Sequence, residues 1–378
     1  NNKGEYDKAI GYLEKSLAIQ LKALGAEHPS VATTYNNIGN AYNKKGEYDK
    51  AIGYYEKALA IQLKALGADH PDVGTSYNNI GAAYKNKGEY DKAIGYYEKA
   101  LAIYLKTLGE DHPNVAKGHG NLGSVYWEKG EYDKAIGYHE KALATWLKAL
   151  EAEHPDVGTS YNNIGAAYDS KGEYDKAIGY YEKSLAISIK APGAVHPSVG
   201  TTYINIGTAY NAKGEYDKAL GYFGKGLAIT HNELGAEHPY VAIGYGNLGK
   251  AFSNKGEHDR GIEHLRKALM ILINSLGPKH PHVASSYDHL GSAYEAKGEK
   301  KLASQNLLKA LEIRKGSLAP GHPKMAESYH NIGSFYANNG DRKNALTYLS
   351  EAKAIRVKKL GADHPHTKET IAAINELK

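Results

Sequence analysis

The sequence predicts an all-α chain of stacked antiparallel helical hairpins, and three observations predict it. The 378 residues are nine times 42, and the glycine of a KGEY-type turn recurs every 42 residues from Gly4 to Gly340 without an insertion. Self-similarity at such a period marks a repeat array. Each unit also carries two apolar stripes of helical period, and Pro and Gly punctuate the stripes where helices should start and stop. One array therefore replaces the two or three independent domains that this length would otherwise suggest.

Residues 29–70 show the elements in order. Tyr35, Ile38, Gly39 and Tyr42 fall at offsets 0, 3, 4 and 7, which puts them on one stripe of a first helix, A. By angle, Thr33, Asn37, Asn40 and Lys44 lie on the opposite side and should not serve the core. After Lys45-Gly46, Tyr48, Ala51, Ile52, Tyr55, Ala58, Leu59, Gln62 and Leu63 make the stripe of a second helix, B, ending near Leu66-Gly67. Pro29 suits a first helical turn and Gly67 a left-handed C-cap. An acid precedes the His-Pro pair in six of nine units (Glu27, Asp69, Asp111, Glu153, Glu237, Asp363), favourable beside a helix N-terminus, as are the GEYD acids that open helix B. Gly39 and Ala51 should let the two helices approach closely. One hairpin cannot bury its apolar faces alone, so stacking on its neighbours folds the chain.

The organisation expected is a single array of nine units. Residues 1–28 form a helix B half-unit, 29–364 eight A/B hairpins, and 365–378 a capping helix in which Ala373, Asn375 and Lys378 replace Asn, Gly and Tyr. The start lacks Met and falls in mid-pattern, which reads as a piece of a longer chain. Its first helix B has no helix A of its own, so this end should be frayed or engaged with another molecule.

The pattern Tyr35-x2-Ile38-Gly39-x2-Tyr42, then Ala51-x3-Tyr55 and Ala58, resembles the tetratricopeptide repeat signature. Where the usual shorter unit ends helix B at a proline, this chain has Leu63 (also Leu21, Leu105, Leu147), so helix B runs on. The LGxxHP loop followed by NNIG or NNLG resembles the repeats of kinesin light chain and nephrocystin-like proteins. The resemblance implies a right-handed α-solenoid, a superhelix with helix A lining its concave side. It also implies a protein-binding role and a cytoplasmic location. No heptad segment is present, so the motor connection of kinesin light chain is not carried over.

Asn37 recurs as Asn79, Asn121, Asn163, Asn205, Asn247 and Asn331, broken only by His289. Asparagine is a poor helix former, and its amide offers donor and acceptor together, which matches the backbone of an extended peptide. The resemblance places these residues where the asparagines of kinesin light chain repeats contact cargo peptide. Recent duplication could also preserve them, since residues 70–84 recur at 154–168; against that, the diverged helix A around His330 and Ser334 keeps Asn331. Specificity should come from departures: Lys117, Gly118, His119, Gly120 and Trp127 in one helix A, and Lys250, His289, Glu327 and His330 later. Trp127 is either a hot spot in the groove or a cover over the flanking helix. Of the carboxylate clamp found in chaperone-binding members of the family, only Lys117 with Asn121 is echoed, so no complete clamp is expected.

Chemistry of other kinds finds no footing. Cysteine is absent, which excludes disulfides, thiolate catalysis and Cys-based metal centres. Nine of the 18 histidines are the His-Pro residues, read as helix starts, and no two histidines lie three or four apart as a helical metal pair would. No phosphate loop or nucleophile elbow appears. The reading is a non-enzymatic scaffold without cofactor or metal. No apolar run reaches the ~18 residues of a membrane helix. Residues 1–189 hold 22 Lys/Arg against 25 Asp/Glu, while the rest hold 25 against 17, a basic excess confined to the second half. That hints at an acidic partner; the near-uniform groove argues against RNA reading. The alternative function is head-to-tail self-assembly through exposed array ends.

Overall fold

The computed structural model describes residues 2–190, 197–318 and 320–377. They contain eighteen helices and no strand. By contact the chain divides into two compact units, Asn1–Ala167 and Tyr168–Lys378. The first holds α1 (Asn2–Leu24), α2 (Pro29–Lys45), α3 (Tyr48–Leu66), α4 (Pro71–Lys87), α5 (Tyr90–Leu108), α6 (Pro113–Glu128), α7 (Tyr132–Ala149) and most of α8 (Pro155–Lys171). The second holds α9 (Tyr174–Lys190), α10 (Pro197–Ala212), α11 (Tyr216–Leu234), α12 (Pro239–Asn254), α13 (His258–Leu276), α14 (Pro281–Ala296), α15 (Lys300–Ser317), α16 (Pro323–Asn338), α17 (Arg342–Leu360) and α18 (Pro365–Glu376). Even-numbered helices are of type A and odd-numbered ones of type B. The replacement expected at Lys378 lies outside the described residues.

Within each unit helices A pack on their own helix B and on the helix B before it, as α4 does on α5 and α3, and α14 on α15 and α13. Helices A also touch the next helix A, as α2 does α4 and α12 does α14, whereas helices B make no comparable contact with one another among the described residues. The tighter layer is therefore the one formed by helices A.

Gly39 does what its position predicts: a Cβ there would lie 2.6 Å from the Tyr55 ring, and both Tyr55 and Ala51 are fully buried. The buried stripe of helix A differs from the expected one. In α2 it runs through Val31, Ala32, Thr34, Ile38, Gly39 and Ala41, so Ile38 and Gly39 lie where expected, while Tyr35 and Tyr42 are only half-buried. The tyrosines pack within the hairpin instead. Tyr42 stacks on Tyr54 at 5.5 Å, with Lys50 5.2 Å over the Tyr42 ring, and Tyr84 with Tyr96 and Tyr210 with Tyr222 repeat the stack. Rings that keep one face for a lysine need not be core residues.

The turns also refine the reading. Gly46 is left-handed at φ 86°, ψ 10°, but Gly67 takes φ 84°, ψ 164°, another conformation reserved for glycine. The His-Pro histidines cap helices directly. In eight units Nδ1 of His28, His70, His112, His154, His238, His280, His322 or His364 accepts the backbone N–H two residues on, at 3.1–3.2 Å. The ninth, His196, lies outside the described residues.

With the caps supplied by histidine, the acids are used elsewhere. Three of the acids before His-Pro reach the last turn of the next helix B: Lys64 pairs with Glu27, Lys106 bonds Asp69 at 2.6 Å and Lys148 pairs with Asp111 at 3.0 Å. The GEYD aspartates face the lysine that closes the next helix A. Lys45 pairs with Asp7, Lys87 with Asp49, Lys129 with Asp91, Lys213 with Asp175, Lys255 with Asp217 and Lys297 with Asp259, all at 2.6–2.7 Å. Each lysine also grips the glutamate two residues on, as Lys87 does Glu89 at 2.8 Å. These six clasps tie their hairpins to the ones before them.

Candidate functional site

The asparagine column follows helix A from hairpin to hairpin. Asn37 is exposed, and Asn79, Asn121, Asn163, Asn205, Asn247 and Asn331 are half-buried. They are not purely outward-looking. Asn121 donates from Nδ2 to Oδ1 of Asn78, on the preceding helix A, at 2.6 Å. At this step the asparagine helps to lace neighbouring helices A together. Asn79, Asn163 and Asn247 make no side-chain hydrogen bond among the described residues. Asn40, assigned by angle to the side away from the core, accepts the hydroxyl of the buried Tyr55 at 2.7 Å, because the long Tyr55 side chain reaches past the helix it packs on.

Two clefts open beside the column, one in each unit. The first, of about 440 Å³, brings Lys117, Asn121 and Asn163 together with Ser124, over Tyr104 and Trp146. It exists because Gly120 stands where Asn36, Asn78 and Asn162 stand elsewhere, and a side chain at Gly120 would meet nothing within 4 Å. Trp127 is not part of it; at 38% exposure it sits near the end of α6, away from that cleft. The second cleft, of about 580 Å³, lies beside Gly246, the matching departure, and is lined by Ile243, Asn247, Leu272, Leu276 and His289. Lys250 is one turn further along α12, outside that lining.

Behind the second cleft is a buried polar cluster that the periodicity did not single out. Arg314 of α15, 1% exposed, lies 2.5 Å from the Asp288 carboxylate. It also donates to Ser328 Oγ and, at 3.2 Å, to Ser285 Oγ. Burial raises the Asp288 carboxyl to about 6 against the pull of Arg314. Burial likewise pushes His289 down to about 3, with the Lys250 charge acting in the same direction. Lys250 is exposed, yet the protein around its ammonium displaces enough water to hold it below the usual lysine range. Burial pushes Glu327 up, but the charges of Lys324 and Arg314 outweigh it and leave Glu327 lowered. The signal was present in the sequence. Reading one helix B position through the repeats gives Gln20, Gln62, Tyr104, Trp146, Ser188, Thr230, Leu272, Arg314 and Arg356, and the two arginines mark where the layer between hairpins turns ionic.

No helix among the described residues is long and apolar enough to cross a membrane, and none of their His, Asp and Glu side chains gather in threes that could hold a metal.

Comparison with known proteins bears on the architecture. The tetratricopeptide repeat profile matches residues 1–64, 30–106, 72–145, 114–190, 171–230, 198–269 and 240–316, and a second profile of the same description matches 325–366. No curated protein matches the chain. Among solved structures it is similar to BtubC (BKLC) from P. vanneervenii, at 25% identity and a TM-score of 0.53 over 60% of this chain and 91% of that one. It is also similar to the quorum sensor NprR from B. thuringiensis, at 15% identity and 0.60 over 94% and 99%. Aspartyl phosphate phosphatase F from Bacillus subtilis matches at 13% identity and 0.63 over 93% and 95%. The last two likenesses speak to fold alone. With repeat profiles covering nearly every hairpin, the chain belongs to the tetratricopeptide repeat family.

Proposed function

We propose that the chain is a non-enzymatic scaffold that holds an extended peptide or protein segment against its helices A through the asparagine column. A tetratricopeptide array suggests protein–protein interaction in general; the observation that carries the finer reading is that both clefts open directly against column residues, Asn121 and Asn163 in one and Asn247 in the other. An amide with two donors and an acceptor can meet the N–H and C=O groups of an extended backbone whatever its side chains. The adjoining clefts then receive side chains and supply selectivity. The lacing role of Asn121 spends one donor and leaves its second N–H.

The test is an array of short synthetic peptides probed with the chain and with an Asn79→Ala, Asn163→Ala, Asn247→Ala variant. These three amides make no internal side-chain bond, so the variant should keep its helicity. It should lose most of the array signal; retention of the same peptides at the same strength ends the groove reading. Self-assembly is the second reading, favoured by the face of α1 that leaves Tyr12 74% and Ile19 69% exposed. Light scattering that grows with concentration would support it.

A further inference from the structure

The cleft beside Gly246, of about 580 Å³, departs from the matching surface of the other hairpins at four places, and the repeats serve as an internal control. At the position of Tyr240 the other units hold only polar residues, among them Ser30, Asp72 and Lys324; at that of Ile243 they hold Thr75, Lys117, Ser285 and Glu327 among others, again all polar. Here both side chains are large and present apolar surface to solvent, Tyr240 at 48% and Ile243 at 42% exposure. The Tyr240 ring is held by a stack on His238 at 5.5 Å.

The floor has changed in the same sense. At the position of Leu272, other units carry a polar group that bonds the next helix A: Gln62 accepts from Ser76 Oγ at 2.5 Å, and Arg314 donates to Ser328 Oγ. Leu272 offers nothing to the matching Ser286, whose hydroxyl donates instead within its own helix, to the His282 carbonyl at 3.5 Å. The fourth change removes a side chain. Gly246 stands where Asn36, Asn78 and Asn162 stand, and a Cβ on it would meet nothing within 4 Å.

Among the described residues no Asp, Glu, Lys or Arg lines this cleft. Burial pushes its three histidines, His280, His282 and His289, below the ordinary imidazole range, so at neutral pH they carry no charge. Lys250 and Glu327 lie outside the lining. A carboxylate or ammonium entering here would lose water without gaining an opposite charge in the lining, whereas an apolar side chain would gain by burial. Asn247 belongs to both the cleft and the column, so a backbone held by its amide passes the mouth of the cleft. Successive side chains of an extended chain point to opposite sides; one enters and its neighbours face away.

We propose that the cleft beside Gly246 selects the segment held along helix A by admitting one large uncharged side chain, aromatic or branched aliphatic, between Ile243 and Leu272. The preference rests on the segment being held by the asparagine column, as proposed above.

The experiment uses the full chain and short labelled Ser/Ala peptides carrying one guest residue, Leu, Phe, Asp, Lys or Ala, read by fluorescence anisotropy. Ile243→Thr, Gly246→Asn gives the cleft residues that other units carry at these places, so this double variant should fold, as circular dichroism will check. The Leu and Phe guests should bind the wild type about tenfold or more tighter than the Asp, Lys and Ala guests. The double variant should erase that difference and keep the affinity common to all guests, whereas Asn79→Ala, Asn163→Ala, Asn247→Ala should weaken every guest. Equal binding of all guests by the wild type, or tightest binding of a charged one, would overturn the preference and leave the column standing. An apolar preference that survives in the double variant would overturn its assignment to this cleft. One that vanishes there but ignores the asparagine changes would end the column reading and support the cleft alone. No binding of any guest by the wild type would overturn both.

Discussion

At the scale of single residues, the informative ones are those that break the repeat. His139 stands where the neighbouring units have Tyr97 and Tyr181, fully enclosed, and burial pushes it down to about 4 from 6.5. In the unfolded chain it takes a proton near 6.5; in the folded one it resists until about 4, so the folded state binds fewer protons in that window. Its contribution to stability is complete above pH 6.5 and is lost as pH falls toward 4, by an amount on the order of 3 kcal/mol. His139→Tyr should therefore flatten the fall in melting temperature between pH 7 and 4.5, and an unchanged fall would refute that account. Arg314 offers a second case. Arg314→Ala strands Asp288 in the core and should cost about 3 kcal/mol or more in urea denaturation, against well under half of that for the exposed Lys106→Ala. Neither residue was legible in one unit read alone. His139 looks like a tyrosine substitute and Arg314 like a surface charge until packing shows what encloses them.

At the scale of elements, the helices were legible because their punctuation is chemically unambiguous: proline at the start of every helix A from α2 on, and a glycine turn of KGEY type before every helix B from α3 on. The capping atom was not, since an imidazole acceptor is outside the usual set of Ser, Thr, Asp and Asn. It must be read from geometry, with Nδ1 unprotonated to accept. His238→Ala should cost about 1 kcal/mol by thermal unfolding and His238→Asn should recover most of it; a neutral alanine would mean the bond carries nothing. The direction of the tyrosines was misjudged for a related reason. Angular position alone cannot tell a core ring from one that stacks at the hairpin edge under a lysine.

For the whole molecule, most energy sits between nearest neighbours, so unfolding should not be a single two-state step. The denaturant slope should fall below the value expected for 378 residues unfolding together; a slope matching that size would show one cooperative block. Raising salt should lower the melting temperature modestly, because the Lys–Asp clasps are exposed and screened within about 10 Å at 0.1 M. The number and order of hairpins were visible from period alone. The clefts beside Gly120 and Gly246 were half visible, as substitutions whose emptiness only packing reveals.

The clasps also say which hairpins are exchangeable. For Lys45, Lys87, Lys129, Lys213, Lys255 and Lys297 the partner lies 38 residues back, so excising or duplicating a 42-residue block between such pairs returns the same lysine to an equivalent aspartate. Beyond it the rule stops in both halves at once: Lys301 stands where the aspartate was and Asn339 where the lysine was. A block moved across that point would set Lys301 against a lysine. The joint between two hairpins, rather than the hairpin itself, is thus the unit that can be exchanged, and it can be exchanged only before α15.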